Sequence, residues 1–133
     1  MLSRNIISVG KVRVANHLPF ALISGPCVLE SREKTLQIAK MLVLACDAVG
    51  VPLIFKASWD KANRTRADSY RGPGLEGLEW LAEVKRTFRV PVVTDIHLPN
   101  HAGPCAKVVN MLQIPAFLCR QTTLIRAARN TGL

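Results

Sequence analysis

The stretch FKASWDKANRTRADSYRG, residues 55–72, places Lys56, Lys61, Arg64, Arg66 and Arg71 in one loop. Arginine offers a planar fork of donors and lysine a compact point charge; both suit phosphate and carboxylate groups. Asn63, in their midst, can hydrogen-bond hydroxyls. Other residues able to do chemistry are spread along the chain: Cys27 in SGPC, Asp95 and His97 in VVTDIH, Gln113 in MLQ, and Arg120 and Gln121 after PAFLC. Together they describe a site for an anionic, hydroxylated ligand such as a sugar phosphate. A solvated loop is the usual fate of a charge run. Lys56 argues against that reading, because it directly follows the apolar run PLIF.

The bulk numbers agree. The chain has 133 residues, 49% hydrophobic, with 18 Lys and Arg against 9 Asp and Glu, a net charge of +9. Such a surplus favours anionic partners. A nucleic-acid partner is not expected, since aromatics are only 5% and no helix-turn-helix or stacking platform is evident. The four cysteines, Cys27, Cys46, Cys105 and Cys119, form no CxxC pair, which speaks against a zinc ribbon. His97 and His101 have helix-neighbour spacing but flank Pro99, so a His–His zinc pair is not expected there. His17 is expected at the surface and Cys46 in the core. MLSRNIISVG has no apolar run of signal-peptide length, and no segment approaches the roughly 20 apolar residues of a membrane span. The expectation is a cytoplasmic protein with reduced thiols and no membrane partner.

These residues must be positioned by regular elements. Residues 5–14 read as a hairpin with Gly10 near its turn. FALIS (20–24) reads as a buried strand. Residues 31–50 read as a helix with Ser31 as N-cap and Gly50 just past its end; Leu36, Ala39, Met41, Leu42, Val43 and Cys46 form its apolar face. Strand and helix then alternate: strand 51–57, helix 74–88, strand 90–96, a short helix over 99–108, strand 110–114 and helix 121–132. Four strand–helix cycles predict a parallel α/β fold in a single unit. Two architectures compete, an open doubly wound sheet and a (β/α)8 barrel. The barrel usually takes about 250 residues, so this chain supplies four of its eight units.

Chemistry in parallel α/β folds sits at the carboxyl ends of the strands. Cys27 follows the first strand. Lys56, Ser58, Lys61, Asn63 and Arg64 follow the second, Asp95 and His97 the third, and Gln113, Arg120 and Gln121 the fourth. One rim therefore carries nearly all the candidates. Cys27, after Gly-Pro, reads most simply as a buried thiol, with a metal ligand or a nucleophile as the alternatives.

SGPCVLESRE, FKASWDKANR, SYRGPGLE, VVTDIH and LQIPAFLCRQT, in this order and spacing, closely resemble the 3-deoxy-D-manno-octulosonate 8-phosphate synthase family from about residue 5 onward. KANR separates this family from the related 3-deoxy-arabino-heptulosonate 7-phosphate synthases, where KPRT is expected. The resemblance implies an aldolase-type TIM barrel, a homotetramer, in the pathway to the Kdo sugar of Gram-negative lipopolysaccharide. It implies condensation of phosphoenolpyruvate with arabinose 5-phosphate and water, releasing phosphate. Lys56, Lys61, Gln113 and Arg120 would hold phosphoenolpyruvate. Asn63 and Arg64 would hold arabinose 5-phosphate, with Ser58 also lining the substrate site. Lys56, Lys61 and Asp95 would be the catalytic group, Asp95 near the sugar hydroxyls. Cys27 marks the metal-dependent subclass, in which a divalent metal ion orients the aldehyde or the water.

The chain departs from the family at several positions. NRTR stands where NRSS is common, and Leu98, Asn110 and Thr123 replace expected acids. The family's remaining metal ligands (a His, a Glu and an Asp) and a further substrate-binding Lys and Arg belong to the second half of the barrel. The expectation is that the 133-residue chain alone folds poorly or self-associates through open strand edges and lacks synthase activity. The alternative is an inactive remnant that binds phosphorylated ligands without turnover.

Overall fold

The apolar runs become short parallel strands whose order in space is their order in sequence. In this computed structural model, which describes residues 5–133, β1 (Ile7–Val9) and β2 (Val12–Val14) pair antiparallel, turning at Gly10, whose φ is 55°. β3 (Leu22–Ser24), β4 (Leu53–Lys56), β5 (Val92–Asp95) and β6 (Met111–Gln113) form a parallel sheet in the order β3-β4-β5-β6. The helices are α1 (Arg32–Val49), α2 (Leu75–Phe88), α3 (Ala102–Ala106) and α4 (Thr122–Arg129). No helix among the described residues is long and apolar enough to cross a membrane.

Strand order separates the two competing architectures. A doubly wound sheet reverses its order at a switch point; this sheet does not. Burial adds a second argument. Leu53, Phe55 and Val92 join the core that also holds Ala39, Leu81, Cys105 and Leu124 from the four helices. Ile54 and Val93 point the other way and pack with Val9 and Val12 of the hairpin, together with Ala21 and Met111. The helices thus cover one face, as in the winding of a barrel, and the hairpin covers part of the other.

Local signals explain the element ends. Ser31 Oγ accepts the Lys34 N–H at 3.2 Å, and Gly50 takes a left-handed conformation with φ 69°. Arg32 of α1 grips Glu83 of α2 with both guanidinium arms, one at 2.7 Å. Expected Asp at 110 is Asn, which serves pairing: its N–H donates to the Val92 carbonyl at 2.8 Å and its Oδ1 accepts the Val92 N–H at 3.2 Å.

Four expectations need correction. FALIS, expected as a buried strand, gives only the three-residue β3, which lies at the sheet edge with Ile23 49% exposed, and Phe20 before it is 71% exposed. Met41 is 63% exposed rather than part of the apolar face of α1, whose inward side is Thr35, Ala39 and Cys46. The segment expected as one helix over 99–108 is a 3-10 turn, Pro99–His101, running into α3, which stops at Ala106. The last helix ends at Arg129, not at Gly132. Cys46 is buried and His17 exposed, as expected.

Candidate functional site

Side chains alternate along a strand. Lys56 therefore shares its face with Ile54, Asp95 with Val93, and Gln113 with Met111. All three apolar partners belong to the helix-free side. In the sheet register Lys56 stands beside Val93 and Asp95 beside Gln113. Lys56, Asp95 and Gln113 thus occupy one face at the carboxyl ends of three adjacent strands. Ser58, two residues beyond Lys56, keeps the same parity, is fully buried and bridges to Val28.

Asp95 is the centre of this rim. It is 4% exposed. Its Oδ2 lies 3.4 Å from His97 Nε2 and 3.9 Å from Lys61 Nζ. Burial pushes its carboxyl up, but His97, Ser58 and the Lys61 charge together outweigh burial and hold it below the ordinary value. The backbone here is tied across strands. Trp59 Nε1–H donates to the Asp95 carbonyl at 3.1 Å, and Thr94 Oγ1–H donates to the Ala57 carbonyl at 2.7 Å. Ser58 Oγ, Asp95 Oδ1 and His97 Nδ1 are buried with no hydrogen-bond partner among the described residues. Buried polar atoms are rarely left so, and a bound ligand, ion or water would satisfy them.

The structure divides the basic loop by task. Lys61 is half-buried and turned to Asp95. Arg66 pairs with Asp68 at 2.9 and 2.8 Å, and Arg71 pairs with Asp60 at 3.1 and 3.0 Å. Among the described residues Lys56 and Arg64 form no ion pair. Arg64 instead lines a cleft of about 580 Å3 with Val28, Glu30, Ser69 and Tyr70. Asn63, Arg120 and Cys27 are exposed. The structure therefore brings Lys56, Ser58, Lys61, Asp95 and Gln113 to one rim and puts Asn63, Arg64, Arg120 and Cys27 on the loops around it.

The argument that Pro99 keeps the two histidines apart does not hold. Asp60, His97 and His101 bring one ligand atom each to within 4.8 Å of one another. Pro99 does not separate the histidines, because it opens the 3-10 turn where a proline has no N–H to lose. Asp60 escaped notice because its neighbours in sequence are cationic, and Trp59 because its role is a long-range hydrogen bond. The metal implied by Cys27 fits less well. Cys27 belongs to no group of three metal-ligating side chains among the described residues, so this chain offers that metal a single thiol.

Comparison with known proteins extends this picture. Residues 4–133 match the DAHP synthetase I family. The chain is 54% identical over 127 residues to the 2-dehydro-3-deoxyphosphooctonate aldolase of Citrifermentans bemidjiense, covering 95% of this chain and 46% of that protein. It is 52% identical over 132 residues to the protein of that name from Hahella chejuensis, covering 98% and 47%. With the one from Acinetobacter baylyi it shares 49% over 129 residues, covering 96% and 45%. The name is a synonym of octulosonate 8-phosphate synthase, the family the motifs resemble. The chain spans about half the length of these relatives. Matched over nearly its whole length, and wound in the barrel manner with its polar residues on one rim, the chain belongs to the DAHP synthetase I family, on its octulosonate 8-phosphate synthase side.

Proposed function

We propose that the chain carries the phosphoenolpyruvate- and pentose-phosphate-binding half of a 3-deoxy-D-manno-octulosonate 8-phosphate synthase. The observation that carries this is the placement of Lys56, Asp95 and Gln113 on one face at the ends of β4, β5 and β6, with Lys61 against Asp95. In this reading Lys56 and Lys61 neutralise phosphoenolpyruvate, with Gln113 and Arg120 completing its cradle. Arg64 takes the phosphate of arabinose 5-phosphate, and Asn63 and Asp95 take its hydroxyls. Two anions that repel in solution are thereby held together, and the enol carbon bonds to the aldehyde carbon while water adds and phosphate departs. Lys61 Nζ stands 3.9 Å from Asp95 Oδ2, so it is positioned before substrate arrives. No step is assigned to the metal, since one thiol is all this chain supplies to it. The homotetramer, the cytoplasmic location and the place in Kdo synthesis belong to the same reading.

Splitting the activity tests it. The 133-residue chain, given phosphoenolpyruvate and arabinose 5-phosphate, releases no phosphate. Mixed with the part of the Citrifermentans bemidjiense relative that it does not cover, it does, and Lys56→Ala abolishes the effect. Turnover by the chain alone, or a mixture that stays silent although both parts associate, overturns the reading. Saturable sugar-phosphate binding without turnover in any mixture favours a second reading, in which the rim binds phosphorylated ligands without catalysing the condensation.

A further inference from the structure

The loop after β4 and the turn after β5 converge on a set of donors that the synthase reading leaves unused. His97 is buried, with its side chain 4% exposed, and its Nε2 faces Asp95 Oδ2 at 3.4 Å. Its Nδ1 is buried without a hydrogen-bond partner among the described residues. His101 sits one turn on, its ring edge-on to Trp59 at 4.9 Å between centroids. Asp60 arrives from the other loop. The three donors line a cleft of about 380 Å3 together with Arg71 and Phe117.

We infer that Asp60, His97 and His101 form a binding site for a divalent transition-metal ion, separate from Cys27. Two imidazoles and one carboxylate suit zinc, cobalt or iron(II), and three protein ligands leave a position open to water or a ligand. The second layer is already in place. A metal-bound histidine is oriented when its other nitrogen meets a carboxylate, and Asp95 stands at that nitrogen of His97. Donors around zinc, at about 2.0–2.2 Å from the ion, lie roughly 3.3 Å apart. The widest pair here, within 4.8 Å, has to close by roughly 1.5 Å. Asp60 can supply that movement, because its present partner, Arg71, has a side chain 60% exposed and free to swing away. Arg71 then acts as a competitor: the guanidinium and the ion bid for one carboxylate. The inference stands on these contacts and does not rest on the synthase reading.

Cobalt(II) titrated into the 133-residue chain tests it. The expected result is the visible d–d absorption of a nitrogen and oxygen site, with no thiolate charge-transfer band, unchanged in Cys27→Ser. His101→Gln lowers cobalt affinity at least about tenfold, and Asp95→Asn lowers it about 10–100-fold through His97. Arg71→Ala raises the affinity, which a purely structural role for Asp60 does not foretell. Chain whose circular dichroism shows the helices but which takes up no cobalt overturns the inference. So does a thiolate band that Cys27→Ser removes. If His101→Gln fails to fold, Arg71→Ala decides, and an unchanged affinity there also overturns it. Phosphate release plays no part in these readouts, so the two proposals fail independently.

Discussion

Trp59 Nε1–H donates to the carbonyl oxygen of Asp95 at 3.1 Å, joining the loop after β4 to the last residue of β5 across a buried boundary. The bond fixes the backbone that carries the most connected side chain of the rim. Trp59→Phe keeps an aromatic ring but strands that carbonyl. The expected loss is about 1–3 kcal/mol in urea unfolding, as for a buried group left without its partner. An unchanged midpoint would show that the indole nitrogen is dispensable.

Gly25 makes a closer approach. A Cβ there would lie 1.8 Å from the Lys56 carbonyl oxygen, which is backbone and cannot swing aside. Gly25→Ala must push β3 and β4 apart just where Lys56 leaves the sheet. Overpacking costs about 1–3 kcal/mol and occasionally more, and this site lies at the upper end. The variant is expected to express poorly and to unfold at lower urea than the parent; parent-like stability sinks the argument.

Asp95 makes stability depend on acid. Its folded value is held below the ordinary carboxylate value, so its stabilising contribution is fully present above the unfolded value of about 3.9. It is lost as the pH falls through the lower, folded value. Asp95→Asn is therefore expected to flatten the fall in melting temperature below about pH 4, leaving the rest of the profile to the other carboxylates. Parallel acid profiles for parent and variant would remove Asp95 from this account.

The cysteines divide by access. Cys27 and Cys119 are exposed, and Cys46 and Cys105 are buried. Burial, aided by the Asp95 charge, pushes the Cys105 thiol up to about 12. At pH 8 a disulfide reagent is expected to modify two thiols quickly and the other two only on unfolding. Rapid modification of Cys105 in native protein would mean that the helix-side core is open.

Exposed edges govern the behaviour of the isolated chain. β3 and β6 each have one strand neighbour among the described residues, and Ile23 within β3 and Phe20 just before it are 49% and 71% exposed. Such edges template association. Sedimentation of the 133-residue chain is expected to show concentration-dependent oligomers, and a stable monomer across the micromolar range contradicts this.

Much was legible in the sequence because the signals are local. Ser31 and Gly50 cap α1 through contacts only a few residues long. The apolar runs PLIF and PVV mark buried strands, and polar residues at their ends fall on the rim by position alone, so Lys56, Asp95 and Gln113 were found that way. The tertiary structure decided what depends on distant segments meeting. Sequential strand order, which distinguishes a barrel-type winding from a doubly wound sheet, follows from which strands pair. Met41 lies outside the core because α2 covers only one side of α1. The loop cations looked alike in sequence, yet folding gave Arg71 to Asp60 and Lys61 to Asp95 and, among the described residues, left Lys56 and Arg64 without ion pairs. The convergence of Asp60 with His97 and His101 likewise arises only when β4 and β5 lie side by side and their following loops share a rim. Side-chain periodicity reports which way a residue faces, and only strand pairing determines what it faces.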